Sequence, residues 1–236
     1  MRACRWLLPV VVALVSWPGA AGGQSAELRD ATRQSVQAYR EDRLEDAIGF
    51  AATAVAISER EYGPKHLATA GRINNLALLY YRHGNYTMAE PLLELSLDIR
   101  EKALGPDNLL VANAHSNLAE LYRAQEKHDL AESLHRRALR VRERELGPDH
   151  PVVAQSLSNL ALVYFADARY RDAEPLLKRS LAIFEKTRGP NHVSVAKALE
   201  TYAALLSATG RDSVARQFRI RASQIRAQAA DNSQQR

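Results

Sequence analysis

Stacked antiparallel helix pairs forming an all-α solenoid are what this sequence predicts, and three observations carry the prediction. An eight-residue word recurs at a fixed step: INNLALLY at 73–80, HSNLAELY at 115–122, LSNLALVY at 157–164 and a worn LETYAALL at 199–206. Gly-Pro dipeptides at 63–64, 105–106, 147–148 and 189–190 keep the same 42-residue step without insertion. Between these joints, apolar residues fall three and four apart, which is the spacing of one helix face. Self-similarity at this period marks units that bury their apolar faces only by stacking on neighbours, giving a surface suited to another polypeptide.

Each joint is expected to close a helix with glycine in the left-handed conformation, and the following proline prevents continuation. The full units are then 63–104, 105–146 and 147–188. In the third, the polar turn Asp149-His150-Pro151 supplies a capping side chain and a proline suited to a first helical turn. Helix A follows with Val153, Leu157, Leu160, Ala161 and Tyr164 on one face, and a turn near Ala168 and Arg169 reverses the chain. Helix B spans Tyr170 to Lys186 with Ala173, Leu176, Leu177, Ser180, Leu181 and Ile183 inward. Pro175, like Pro91, falls near the end of that helix's first turn, where few N–H groups have a helical partner.

The flanks are degenerate. Residues 22–62 read as an N-terminal helix pair whose second helix, with Leu44, Ala47, Phe50, Ala51 and Ala54, keeps the pattern best. Residues 189–230 read as a C-terminal cap in which Asp212, Arg219 and Ser223 replace the residues of the full units, and 231–236 as a frayed tail.

Leu157, Leu160, Ala161, Tyr164, Ala173, Leu177 and Pro190 match the pattern W-x2-L-G-x2-Y…A-x3-F…P, as do Ile73, Leu76, Ala77, Tyr80, Ala89, Leu93 and Pro106. The units therefore resemble tetratricopeptide repeats (TPR) of the 42-residue kind found in kinesin light chains and many bacterial proteins. The resemblance implies a right-handed superhelix with a concave groove lined by A helices. A HEAT or armadillo array would lack the small-residue pair at Ala161 and Ala173, which lets paired backbones approach closely. The second unit departs most: His115 and His135 stand at apolar positions and His128 replaces a tyrosine, making it the softest.

Residues 1–21 form a secretory leader in pattern, with Arg2 and Arg5 before an apolar run from Trp6 to Trp17 and the small residues Gly19, Ala20 and Ala21 at its end. The run is shorter than the roughly 20 residues a bilayer span needs. No membrane span is expected after cleavage, and an uncleaved anchor is the alternative. The expected location is outside the cytoplasm, either periplasmic in a Gram-negative cell or secreted. The one cysteine, Cys4, lies inside the leader, so the remainder has no thiol for disulfides or zinc.

The formal charge of +5 is a mild bias. Arg136, Arg137, Arg140, Arg142 and Arg144 interleave with Glu143 and Glu145, a pattern of a solvated helix face, so no nucleic-acid partner is expected. The chain lacks an HExxH, a phosphate loop, a G-x-S-x-G and a thiol nucleophile outside the leader, and neither enzymatic activity nor a cofactor or metal is expected. The recurrence of His66, His150 and His192 at one register position is expected to reflect turn capping.

The candidate binding residues are a ladder. Asn75, Asn117 and Asn159 hold one helix A position, which by resemblance to the family lines the groove. Side-chain amides carry donors and acceptors that pair with the backbone of an extended peptide; the alternative is that they tie neighbouring helices together or face water. One turn either side stand Asn74, Tyr81 and Arg82; Asn113, Glu120 and Arg123; Gln155 and Phe165. The expected partner is a protein or peptide, with the chain a monomer or weak homo-oligomer. A structural, self-assembling subunit is the alternative of a different class.

Overall fold

The computed structural model describes residues 24–234, so the leader and Cys4 lie outside the described residues. Among these residues there are ten α-helices and no strand. They fall into two compact units, residues up to Gly105 and residues from Pro106 onward.

The first unit holds α1 (Ala26–Arg40), α2 (Leu44–Tyr62), α3 (Leu67–Arg82) and α4 (Tyr86–Leu104), with α1 packed on α2, α2 on α3 and α3 on α4. A three-residue turn makes α1 and α2 antiparallel: Ser35 Oγ donates to the Ala47 carbonyl at one end (2.9 Å), and Arg60 reaches Glu27 at the other (2.6 Å). The core of the first pair is Leu28, Ala31, Ala38, Ala47, Ala54 and Ile57, all buried.

The second unit holds α5 (Leu109–Ala124), α6 (His128–Leu146), α7 (Pro151–Ala166), α8 (Tyr170–Arg188), α9 (Val193–Ala208) and α10 (Asp212–Gln234). Consecutive helices pack, and α7 also touches α5 and α9. Helix α10 runs beyond residue 230 to Gln234, because Ala229 and Ala230 favour helix and no stop signal follows.

The small-residue register is as the repeat predicts. Ala77, Ala119, Ala161 and Ala203 on A helices, and Ala89, Ala131, Ala173 and Ala215 on B helices, are all fully buried. Around Ala161, Ala173, Ala203 and Ala215, the side chains of Leu160, Leu177, Tyr202, Leu205 and Leu206 fill the space. Polar ties repeat at the same step. The Tyr164 hydroxyl donates to Glu132 Oε1 (2.9 Å) and Arg169 pairs with Glu132 (2.6 Å); one unit on, the Tyr202 hydroxyl donates to Glu174 (2.9 Å), which Arg211 also grips with both terminal nitrogens. Hydrogen bonds from Arg211 and Lys178 hold the Glu174 carboxyl down to about 2.

The capping expectation for histidine is met: Nδ1 of His66, His150 and His192 each accepts from the backbone N–H two residues on (3.1, 3.2 and 3.1 Å), and Asn108 does the same with its amide oxygen (2.8 Å). The joint glycines differ from expectation. Gly63, Gly105, Gly147 and Gly189 have φ between 78° and 92° but ψ near 160°, so the chain leaves the helix extended, in a region open essentially to glycine alone, and not in the left-handed helical well. Pro175 and Pro91 stand inside their helices, past the first turn; both are exposed, where the carbonyl freed by the missing N–H meets water.

Candidate functional site

In the second unit, α5 and α7 carry Asn117 and Asn159, and a buried guanidinium joins the two helices. Arg142 of α6, 7% exposed, donates through Nη1 to Ser116 Oγ (3.0 Å) and Ser156 Oγ (2.6 Å), and through Nη2 to Asn113 Oδ1 (2.7 Å). These partners are neutral, and burial lowers the Arg142 pKa to about 10, so it stays charged at neutral pH. This corrects the reading of the arginine strip as a solvated face. Arg136, Arg137, Arg140 and Arg144 are exposed, but Arg142 sits on the other side of the helix, at the register position of buried Phe184.

The remaining candidates of this unit divide by what they touch. Asn159 and Asn117 are half-buried; Gln155 Nε2 donates to Asn159 Oδ1 within the same helix (2.8 Å), leaving the Asn159 amide nitrogen to donate outward. Glu120 accepts from Nε and Nη2 of Arg123 on one oxygen (3.1 and 2.9 Å), while its other oxygen lies 3.5 Å from Nε2 of buried His135. Burial opposes the charge on Glu120, but His135 and Arg123 outweigh it and bring its pKa to about 2. Phe165 packs on Tyr170 with ring centroids 5.5 Å apart. Asn113 is exposed apart from its bond to Arg142.

In the first unit, Asn75 is half-buried on α3, with no hydrogen bond to its amide among the described residues. Tyr81 packs against Tyr86 (5.7 Å) and Arg82 is exposed. Asn74 is a correction: at 6% exposure it is withdrawn from the surface, because its register position points between helices. Ser158 at the same position in α7 shows why, bonding to Ser180 Oγ of α8 (2.7 Å).

Sequence reasoning passed over Lys197 of α9. It shares the register of Asn113 and Gln155, is half-buried, and has its pKa lowered by that burial. The 42-residue step alone would have placed it there. No group of three or more His, Cys, Asp or Glu side chains is arranged to hold a metal among the described residues. What the A helices leave accessible is amides and aromatic edges, while the Glu120–Arg123 pair is mostly buried, at 15% and 10% side-chain exposure.

The family model described as "Tetratricopeptide repeat" matches residues 35–102, 71–144, 110–186 and 153–228 in overlapping register. The chain belongs to the tetratricopeptide-repeat family. Among solved structures, it is similar to a Podosopora anserina putative kinesin light chain with nearly identical TPR-like repeats, at 23% identity over 86% of this chain and 96% of that one, with a TM-score of 0.71. BtubC (BKLC) from P. vanneervenii is similar at 21% identity over 88% and 93%, with a TM-score of 0.64. A Rap protein complexed with competence and sporulation factor is similar at 18% identity, with a TM-score of 0.73, over 87% of this chain and 56% of that one. No curated protein matches.

As a tetratricopeptide-repeat chain, this one separates packing from surface within a single word. In residues 157–164, Leu157, Leu160, Ala161 and Tyr164 are buried, while Asn159 is not. The repeat pattern requires the first four and leaves the asparagine unspecified.

Proposed function

We propose that this protein is a non-enzymatic scaffold that binds a protein or an extended peptide along its A-helix surfaces, with Asn75, Asn117 and Asn159 pairing with the ligand backbone. The observation that carries this reading is the amide ladder itself: three half-buried asparagines at one register, outside the packing pattern, with donors on Asn75 and Asn159 that no group among the described residues takes up. A backbone offers a donor or an acceptor at every residue, so amides that recur at one register position suit a main chain. Tetratricopeptide repeats act as protein-interaction scaffolds, and the similar Rap structure was solved with a bound factor. We read residues 1–21 as a leader that places this scaffold in the periplasm or outside the cell.

The test is capture from envelope extracts, comparing the wild-type chain with Asn75→Ala/Asn117→Ala/Asn159→Ala. Losing three bonds of roughly 0.5–1.5 kcal/mol each is expected to weaken retention of the partner by at least about tenfold, with helical circular dichroism unchanged. The bait recovered there is expected to begin near residue 22. Retention at wild-type strength by the triple variant would move the binding surface away from the asparagines.

A further inference from the structure

The two ends of the repeat array differ from its interior in a way that points to a second copy of the chain. Where one helix pair stacks on the next, α8 presents Glu174, Leu177 and Phe184, and α9 presents Val195, Ala198, Tyr202 and Leu205. All but Glu174 are buried, and the Tyr202 hydroxyl closes on Glu174. Moving the α8 set forward by one 42-residue step reaches Arg216, Arg219 and Arg226 on α10, all exposed. Moving the α9 set back by four steps reaches Glu27, Asp30, Gln34 and Gln37 on α1, partly or fully exposed. The face of α10 that would receive a following pair is arginine-rich, and the face of α1 that would dock on a preceding pair is acidic and amide-rich.

We propose that α10 of one copy receives α1 of another, continuing the repeat register from chain to chain. In that register Arg226 stands where Phe184 meets Val195 and Ala198, so it faces Glu27 and Asp30 of the incoming copy. Arg219 and Arg216 stand where Leu177 and Glu174 meet Tyr202 and Leu205, so they face Gln34 and Gln37. The charge balance agrees at both ends: residues 24–62 hold eight acids against five bases, and residues 193–234 hold six bases against three acids.

The present partners of these groups are exchangeable. Arg226 pairs with Glu200, Arg219 donates to Ser207 Oγ, and Glu27 pairs with Arg60, all in exposed surroundings where such bonds contribute little. Because the two faces differ, the contact is heterologous and adds copy to copy. Its hydrophilic character makes it weak and salt-sensitive. It uses neither Asn117 nor Asn159, so it stands independently of the peptide-binding reading.

The experiment is multi-angle light scattering of the full chain across concentration, at low salt and at about 0.5 M salt, where charge screening reaches only a few ångströms. The wild-type mass is expected to rise with concentration at low salt and to fall back to the monomer at high salt. Glu27→Arg/Asp30→Arg makes both ends basic, and Arg219→Glu/Arg226→Glu makes both ends acidic. Each variant alone is expected to stay monomeric, and an equimolar mixture of the two is expected to associate again. Association through the apolar run at residues 6–17 would ignore both reversals, and that result overturns the proposal. So does a wild-type chain that stays monomeric at low salt, or a mixture that does not associate.

Discussion

His115 occupies the position that Ile73, Leu157 and Leu199 hold in the other units, and it is 1% exposed. Burial, with the Arg137 charge behind it, lowers its pKa from 6.5 to about 4. Above pH 6.5 the ring is neutral folded and unfolded, and the site does not respond to pH. Between pH 6.5 and 4 the unfolded chain takes up a proton that the folded chain refuses, and stability falls by about 3 kcal/mol over that window. Glu120 and Glu174, both brought to about 2, lose their contributions only below about pH 4.5, as they are protonated. Urea titrations at pH 7 and pH 4.5 are therefore expected to show a large loss for the wild-type chain and a clearly smaller one for His115→Leu; equal losses would show that the ring is not buried neutral. The histidine substitution was legible in the sequence because the register names what each position should be. Arg142 was less so: read as a neighbour of Arg140 and Arg144, it belongs to a charged strip, and only the equivalence with Phe184 turns it inward.

At the scale of the element, the helices and their joints were readable because each boundary has its own chemistry. Histidine or asparagine caps α3, α5, α7 and α9, serine caps α1, and a Gly-Pro pair separates the repeats. What the residue types did not disclose was backbone geometry. The joint glycines take an extended ψ, and the turn from helix A to helix B needs a positive φ at one register position that glycine fills only twice. Gly84 and Gly210 stand there, but so do Asp42 (59°), Glu126 (61°) and Ala168 (55°). A left-handed residue with a Cβ costs roughly 1–2 kcal/mol, part of which glycine returns through its freer unfolded chain. Ala168→Gly is expected to stabilise the protein by about 0.5–1 kcal/mol in denaturant melts, and Gly84→Ala to destabilise it by a similar amount. A neutral or harmful Ala168→Gly would mean that the turn bears no such strain.

At the scale of the molecule, an array of helix pairs is as uniform as its buried positions, and one pair in the second unit is not uniform. The α7–α8 pair buries Leu157 and Leu177 where the α5–α6 pair buries His115 and His135, both 1% exposed. Burying a leucine side chain contributes about 1.5–3 kcal/mol, and an imidazole in the same space brings less apolar area and polar nitrogens to desolvate. His135 adds to this cost: among the described residues neither ring nitrogen makes a bond of hydrogen-bonding geometry, and a Glu120 carboxylate oxygen lies 3.5 Å away. Arg142 works in the opposite direction by tying α5 and α7 to α6, but its own charge is buried among neutral partners, so it fastens the pair without making up for the missing hydrocarbon. Local opening follows such differences, because each pair is held mainly by its nearest neighbours. Native-state amide exchange is accordingly expected to give α5 and α6 an opening free energy lower than that of α7 and α8, by on the order of 2 kcal/mol. The double substitution His115→Leu/His135→Leu is expected to close most of that gap while Glu120 keeps its bond to Arg123. Equal protection of the two pairs in the wild-type chain would show that the histidines are packed as well as the leucines they replace.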